Sequence, residues 1–214
     1  MLGLKPHEIE QKSMEIITKE LGDRTFQEPE FSVIKRCIHT SADFDYADNL
    51  KFSSQSVRQG IEAIKRGAHI VTDTNMAFAG INKGVLGRFG GEAHCFMADE
   101  DVALEAKERG VTRSTICMER GANLSGEIIF AIGNAPTALI RICELIEEGK
   151  IKPALVIGAP VGFVNVLESK ERLLSMKDVP YIVAGGRKGG SNIVAAICNA
   201  MLYEAKKEEA SERV

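Results

Sequence analysis

The sequence has 214 residues, 44% of them apolar and 27% charged, with 27 basic against 30 acidic side chains and a net charge of −3. This composition is typical of a soluble globular protein, and the length suffices for one continuous core. No sustained basic stripe is present, so we expect no nucleic-acid partner.

The chain shows no window of about 18 apolar residues and no apolar, leader-like start, so we predict no membrane span. Its five cysteines are odd in number and form no CxxC pair. This favours reduced thiols over disulfides or a zinc site, and we expect a cytoplasmic protein.

Two or three helices are predicted before the first strand, over about residues 5–66. In the first helix one face carries Ile9, Ile16, Ile17 and Leu21, a spacing typical of an amphipathic helix. Ser13 lies within this stripe, and a polar side chain on an inward face needs a hydrogen-bond partner. That partner is either the backbone carbonyl four residues earlier or a bound ligand, and the spacing favours neither.

His39 follows Ile34 and Ile38 at the predicted C-terminal end of a later helix. The helix dipole stabilises a protonated imidazole there, and Asp43 or Asp45 could add to this effect. A histidine so placed can serve as a general acid near neutral pH. From spacing alone, a capping histidine with no chemical role is the commoner situation.

Five short segments predict strands, because near-continuous apolar runs are typical of parallel strands buried on both faces. They are His69–Thr72, His94–Met97, Glu127–Ile132, Ala154–Ile157 and Tyr181–Ala184. Helical patterns alternate with them, from Asp99 to Gly110, from Thr137 to Gly149 and from Ser191 onward. We therefore predict an α/β fold in three layers, with a five-stranded, mostly parallel sheet flanked by helices and preceded by N-terminal helices.

The chain shows no internal repeat and no clear linker, so we predict a single domain over residues 1–214. Its sheet core is expected over about 67–203. The charged segment 204–214 is expected to be a solvated helix end that frays.

Four loops follow predicted strands at the edge where ligands bind in such sheets, namely 72–76, 133–137, 158–163 and 185–191. Glycines in three of these loops let the backbone approach a ligand closely. Arg187 and Lys188, next to a helix start at Ser191, favour anions such as carboxylates. Arg113 could bind a carboxylate through two hydrogen bonds. The alternatives are ordinary tight turns and a surface arginine.

Standard nucleotide-binding and hydrolase motifs are absent from the sequence, since it contains no Walker-type loop, no GxGxxG, no GxSxG and no HExxH. The four histidines are scattered along the chain and suggest no metal cluster.

Several segments taken together resemble the precorrin-8X methylmutase family, which includes the cobalt-precorrin-8 enzymes. The matching segments are Ile9–Ser13, Ile38-His39, Thr72–Met76 with Gly80-Ile81, Thr112–Ser114, Ala131–Leu139, Pro160–Val164 with Glu168–Lys170, and Gly186–Ser191. The GNAPTAL and PVGFV stretches are long and specific. The segments around Asp73 and Gly80 are more similar to the cobalt-handling branch.

The resemblance implies an isomerase that moves a methyl group from C11 to C12 of a corrin precursor by an acid-assisted 1,5-sigmatropic shift. It implies that His39 protonates or hydrogen-bonds a ring nitrogen. It also implies no cofactor, no metal site in the protein, and a homodimer with sites near the subunit interface. The implied substrate-binding residues are Ser13, Asp73, Met76, Arg113, Gly133, Asn134, Thr137, Gly162, Phe163, Arg187, Gly189 and Ser191.

Two other functions stay open on the sequence. One is a noncatalytic tetrapyrrole-binding or carrier protein, which would use the same loops without needing His39. The other is an α/β enzyme that acts on a phosphorylated metabolite through the 185–191 loop.

Overall fold

The computed structural model describes residues 5–212. Their sheet has six strands in the order β1-β6-β5-β4-β2-β3. The strands are β1 (Leu50–Phe52), β2 (His69–Thr72), β3 (Ala93–His94), β4 (Ile128–Ile132), β5 (Leu155–Gly158) and β6 (Tyr181–Ala184). β1 pairs antiparallel with β6, and the other neighbours pair in parallel. The predicted α/β fold with a mostly parallel sheet is therefore confirmed.

The predicted number of five strands is wrong by one, because β1 was not foreseen. β1 is three residues long at the sheet edge, with Leu50 buried and Lys51 exposed. A three-residue segment that alternates buried and exposed side chains contains no apolar run, so its sequence does not indicate a strand. The predicted strand His94–Met97 is also misplaced, since β3 covers only Ala93–His94.

Eleven helices are formed between residues 5 and 212. They are α1 (Pro6–Glu20), α2 (Glu30–Ser41), α3 (Tyr46–Asn49), α4 (Ser56–Lys65), α5 (Asn75–Gly80), α6 (Lys83–Arg88), α7 (Glu100–Arg109), α8 (Arg113–Ala122), α9 (Pro136–Glu147), α10 (Val166–Leu174) and α11 (Ser191–Glu212). None of them is long and apolar enough to cross a membrane.

The central strand β4 separates two apolar layers, and all five of its residues are buried. Ile129 and Ala131 pack with the layer that contains α1, α2, α4, α5, α6 and α11. Phe130 and Ile132 pack with the layer that contains α7, α8, α9 and α10. Because successive side chains of a strand point to opposite faces, a strand covered on both sides is apolar throughout.

The segment expected to fray from residue 204 instead continues α11 to Glu212. Glu208 forms ion pairs with Arg58 and Lys65 of α4, and Lys65 Nζ also lies 3.0 Å from a Glu212 carboxylate oxygen. These contacts hold the charged end of α11 against α4.

α1 buries only part of the stripe that was predicted to face inward. Ile17 and Leu21 are buried, whereas Ile9 and Ile16 are 53% and 48% exposed. The prediction of a single inward face is therefore wrong for those two isoleucines, which leave an apolar surface on the outside of the helix.

Candidate active site

The loops after β2, β4, β5 and β6 lie at one edge of the sheet, because these strands run in parallel. The antiparallel strand β1 starts at this same edge, where Leu50 pairs with Ala184. The Gly185 N–H donates to the Asn49 carbonyl at 2.8 Å. The segment between α2 and β1 therefore joins the four loops that the sequence singles out.

Asp73 organises the turn between β4 and α9. Its side chain is buried, and its carboxylate accepts hydrogen bonds from the backbone N–H groups of Gly133 at 2.8 Å, Asn134 at 2.8 Å and Ala135 at 2.6 Å. Burial raises the pKa of Asp73, and the three N–H donors oppose that rise. Since the carboxylate is occupied by backbone, Asp73 orients the loop that carries Asn134.

Three hydroxyl groups join the start of α8 to the start of α9. Ser114 Oγ lies 2.8 Å from Thr112 Oγ1 and 2.8 Å from Thr137 Oγ1. Thr112 Oγ1 also donates to Thr137 Oγ1 at 3.0 Å. Arg113 lies exposed between Thr112 and Ser114. The network places an arginine beside two helix N-termini, an arrangement that favours anions.

A cavity of about 510 Å³ opens at this position. It is lined by Asp73, Thr74, Asn75, Met97, Thr112, Arg113, Ser114, Asn134, Ala135 and Thr137. Another cavity of about 530 Å³, lined in part by Arg58, Glu62 and Lys152, lies at the opposite edge, where the strands begin. Because parallel sheets bind ligands at the carboxyl ends of their strands, we assign the candidate site to the 510 Å³ cavity.

Close packing between neighbouring loops requires glycine at two predicted positions. A Cβ on Gly133 would lie 2.8 Å from Ser191 Cα, and one on Gly189 would lie 2.1 Å from the Ala159 carbonyl oxygen. Ser191 Oγ in turn lies 2.7 Å from Thr74 Oγ1. These glycines therefore serve loop packing, whatever they do for a ligand.

The end of α2 is tied to the loop after β6 by a lysine. Lys188 Nζ lies 2.6 Å from Asp43 Oδ2 and 2.5 Å from Asp45 Oδ2. The hydrogen bond from Lys188 lowers the pKa of Asp43. Asp43 and Asp45 thus both form ion pairs with Lys188. His39 itself is exposed in the last turn of α2.

Lys170 of α10 supports the loop after β6, although no role was predicted for it. Its side chain is buried, and its Nζ donates to the carbonyls of Gly186 and Lys188, both at 2.8 Å. Burial lowers the pKa of Lys170 to about 8. A signal was available, since Val166, Lys170 and Leu173 share one helical face, and a lysine there must find partners.

The loop after β5 carries the most exposed aromatic side chain among those described. Phe163 is 84% exposed, and the Arg187 guanidinium lies 5.6 Å from its ring centroid. The Gly162 N–H donates to the Arg187 carbonyl at 3.4 Å. Gly162, Phe163, Arg187 and Gly189 therefore form one group beside the end of α2.

Two predicted residues lie on α1 and α5. Ser13 Oγ donates to the Ile9 carbonyl at 2.8 Å, which is the first of the two partners that the sequence allowed. Met76 is 71% exposed on α5, and neither residue lines the 510 Å³ cavity. Within one chain, the structure thus brings together Asp73, Arg113, Asn134 and Thr137, with Ser191 beside them through Thr74.

Comparisons with known proteins identify the family. A family model described as precorrin-8X methylmutase matches residues 8–204. A cobalt-precorrin-8 methylmutase from Priestia megaterium is 44% identical, over 94% of this chain and 88% of that protein. Another from Leptospira interrogans is also 44% identical, over 93% of this chain and 94% of that protein. A solved precorrin-8X methylmutase structure from Thermus thermophilus is 38% identical with a TM-score of 0.85, covering 94% of this chain and 98% of that chain. The chain therefore belongs to the precorrin-8X methylmutase family.

Proposed function

We propose that this protein is an isomerase that moves a methyl group from C11 to C12 of a corrin precursor in cobalamin biosynthesis. The observation that carries this proposal is 44% identity, over 94% of the chain, to a protein named cobalt-precorrin-8 methylmutase. The edge of the sheet supports it, since the loops that match the family meet there. We propose cobalt-precorrin-8 as the natural substrate, because both bacterial relatives described above carry that name.

His39 is the proposed acid of the reaction. It is exposed at the C-terminal end of α2. A proton or strong hydrogen bond to a ring nitrogen would withdraw electron density from the conjugated system as the methyl group migrates. The interaction strengthens as charge shifts, so it stabilises the transition state more than the bound substrate.

The substrate is a flat polycarboxylate, and the site offers two groups of anion-binding elements. Arg113 lies beside the N-termini of α8 and α9, and Arg187 lies near the start of α11. Arginine binds carboxylates through charge-assisted, often two-point hydrogen bonds. The remaining proposed substrate contacts are Ser13, Met76, Gly133, Asn134, Thr137, Gly162, Phe163, Gly189 and Ser191.

We further propose a cytoplasmic, single-domain protein that works as a homodimer, with each site near the subunit interface. Ile9 and Ile16 of α1, and Met76 of α5, are large apolar side chains exposed on the same helical layer. Phe163 and Val164 are 84% and 77% exposed at the site edge. Large exposed apolar side chains are typical of protein interfaces.

The test is conversion of precorrin-8, in metal-free and cobalt-loaded forms, followed by absorption spectroscopy. Methyl migration changes the conjugation of the macrocycle, so an active mutase changes the spectrum and a binding protein does not. We expect conversion, with the higher kcat/KM for the cobalt form. Tight binding of both forms without any spectral change would instead assign a carrier role.

A further inference from the structure

Two histidine rings meet at the β3 edge of the sheet, away from the candidate active site. His94 Nε2 lies 3.1 Å from His69 Nδ1, and a Glu92 carboxylate oxygen lies 4.0 Å from the same His94 nitrogen. One ligand atom from each of these three residues lies within 4.8 Å of the other two. The scattered histidines of the sequence gave no hint of this cluster, because 25 residues separate the two rings.

The backbone holds both histidines in place. His94 pairs with Val71 in the parallel ladder, and Val71 and His69 share one face of β2 because strand side chains alternate. The Ile70 N–H donates to the Glu92 carbonyl at 2.9 Å, and the His69 N–H donates to the Glu127 carbonyl at 2.9 Å. The cluster is separate from the active site, since Asp73 follows His69 by four residues, or roughly 13 Å of extended strand.

Two ring nitrogens that lie 3.1 Å apart can be bridged either by one proton, in a hydrogen bond, or by one bound cation. We propose that His69, His94 and Glu92 bind a single late first-row divalent metal ion of the Zn²⁺ class. With metal–nitrogen bonds of about 2.0–2.1 Å, the observed nitrogen separation corresponds to an angle at the metal of roughly 98°, near the tetrahedral value. Imidazole nitrogens suit such ions, and two histidines with one glutamate are a known zinc ligand set with an open fourth position.

The surroundings of the rings suit a metal site. The His94 side chain is 17% exposed, and its ring stacks on Phe96 with centroids 6.0 Å apart, which limits its rotation. The Glu92 side chain is 72% exposed, so its carboxylate can approach the ion without disturbing the core.

The position of the cluster indicates what bound metal would do. β3 has only two residues and forms one edge of the sheet. The chain continues from β3 to Met97, which lines the 510 Å³ cavity. A metal held by β2, β3 and Glu92 would crosslink this short strand to the sheet and so stabilise the wall of the cavity behind it.

The experiment is calorimetric titration of the full chain with ZnCl2 after chelator treatment, together with thermal unfolding. We expect one equivalent of Zn²⁺ to bind and the Tm to rise with Zn²⁺ concentration. His69→Gln and His94→Gln should each weaken binding by at least about 10–100-fold, since changes one shell further out already cost that much. Glu92→Gln should weaken binding by a smaller factor, and Glu20→Gln, a carboxylate exposed on α1, should leave binding unchanged.

Absence of Zn²⁺ binding by the wild-type chain would overturn the proposal, and so would binding that survives His69→Gln unchanged. His94 is partly buried, so its variant could fail to fold. In that case imidazole ¹⁵N NMR of the wild-type protein tests whether the two histidines bind the ion. One equivalent of Zn²⁺ should shift His69 Nδ1 and His94 Nε2, and unshifted resonances would reject the site.

Discussion

Lys188 and Arg187 are neighbours in the chain, but their side chains have different partners. Lys188 is bound by the carboxylates of Asp43 and Asp45, so its charge is largely compensated inside the protein. Arg187 is exposed and contacts the ring of Phe163. Arg113 is also exposed and forms no ion pair with the residues described between 5 and 212. Of these three cations, the two arginines are therefore the ones that have no carboxylate partner among the described residues.

His39→Ala should lower kcat by about 10²–10⁴-fold, which is the usual contribution of a general acid. Product affinity should change little, because the proposed carboxylate contacts lie elsewhere. Single-turnover absorption kinetics and product titration measure the two quantities. His39→Asn is the matched variant, since it keeps a neutral donor but cannot deliver a proton. If folded His39→Ala turns over at the wild-type rate, His39 has no catalytic role and is only a histidine at a helix end.

Arg113→Ala should weaken product binding by about 1.5–3 kcal/mol, the range for a hydrogen bond to a charged group. Fluorescence or calorimetric titration measures this loss. Arg66→Ala is the control, because Arg66 pairs with the partly exposed Glu127 beside the cavity at the opposite edge of the sheet. Equal affinities for wild type and Arg113→Ala would leave Arg113 as an ordinary surface residue.

At the level of elements, two buried charged side chains hold the loops of the site in place. Asp73 holds the β4–α9 turn through three backbone N–H groups. Lys170 of α10 holds the loop after β6 through two carbonyls. One charged side chain thus satisfies backbone donors and another satisfies backbone acceptors, and both loops are fixed before a ligand arrives.

Lys170→Met should lower the free energy of unfolding by about 1–3 kcal/mol, because it leaves two carbonyls without their donor. It should also weaken product binding, since the loop that carries Arg187 loses its support. Urea denaturation and product titration measure the two effects. Lys150→Met removes a lysine that is 62% exposed and should change neither. If Lys170→Met has the stability and the product affinity of the wild type, the loop after β6 does not depend on Lys170 for its conformation.

Glu119 of α8 joins three helices, since it binds Arg109 of α7 at 2.6 Å and Arg141 of α9 at 2.8 Å. The hydrogen bond from Arg109 lowers the pKa of Glu119 below its ordinary value of 4.5. A lowered carboxyl pKa means that the stabilisation is present above pH 4.5 and is lost as the pH falls through the lowered value.

Glu119→Gln should therefore cost about 1 kcal/mol of unfolding free energy at pH 7. The difference from wild type should shrink below pH 4.5 as Glu119 becomes protonated. Urea denaturation at both pH values checks this. A difference that stays constant with pH would mean that the glutamate acts through packing instead of charge.

The elements differ in how far local sequence could predict them. β4 was predictable because five successive buried residues leave an apolar run. β1 was not predictable, because its three residues carry too short a pattern and the strand is defined only by its pairing with β6. The same holds within the site. Arg113 and His39 stand out by residue type, but the contact of Lys188 with Asp43 spans 145 residues, and no local pattern encodes it.

At the scale of the whole molecule, large exposed apolar side chains lie on both helical layers and at the site edge. The α1–α11 layer exposes Ile9, Ile16 and Met76, and the adjoining site edge exposes Phe163 and Val164. On the opposite side Leu104 of α7 is 63% exposed, and Val111, between α7 and α8, is 37% exposed. The exposed apolar side chains of α1, of α5 and of the site edge are what a second copy of the chain would cover if the subunits complete each other's sites.

We therefore expect light scattering at micromolar concentration to give the mass of a homodimer. Ile16→Glu places a charge on the exposed face of α1, where its burial in an interface would be costly. It should shift the protein toward monomer and weaken substrate binding in parallel, because each site would lose the surface that the partner supplies. Leu104→Glu is the matched control on the other layer and should leave both the mass and the affinity unchanged. The interpretation fails if the wild-type protein is a monomer with full activity, since the open edge of one chain would then be a complete site.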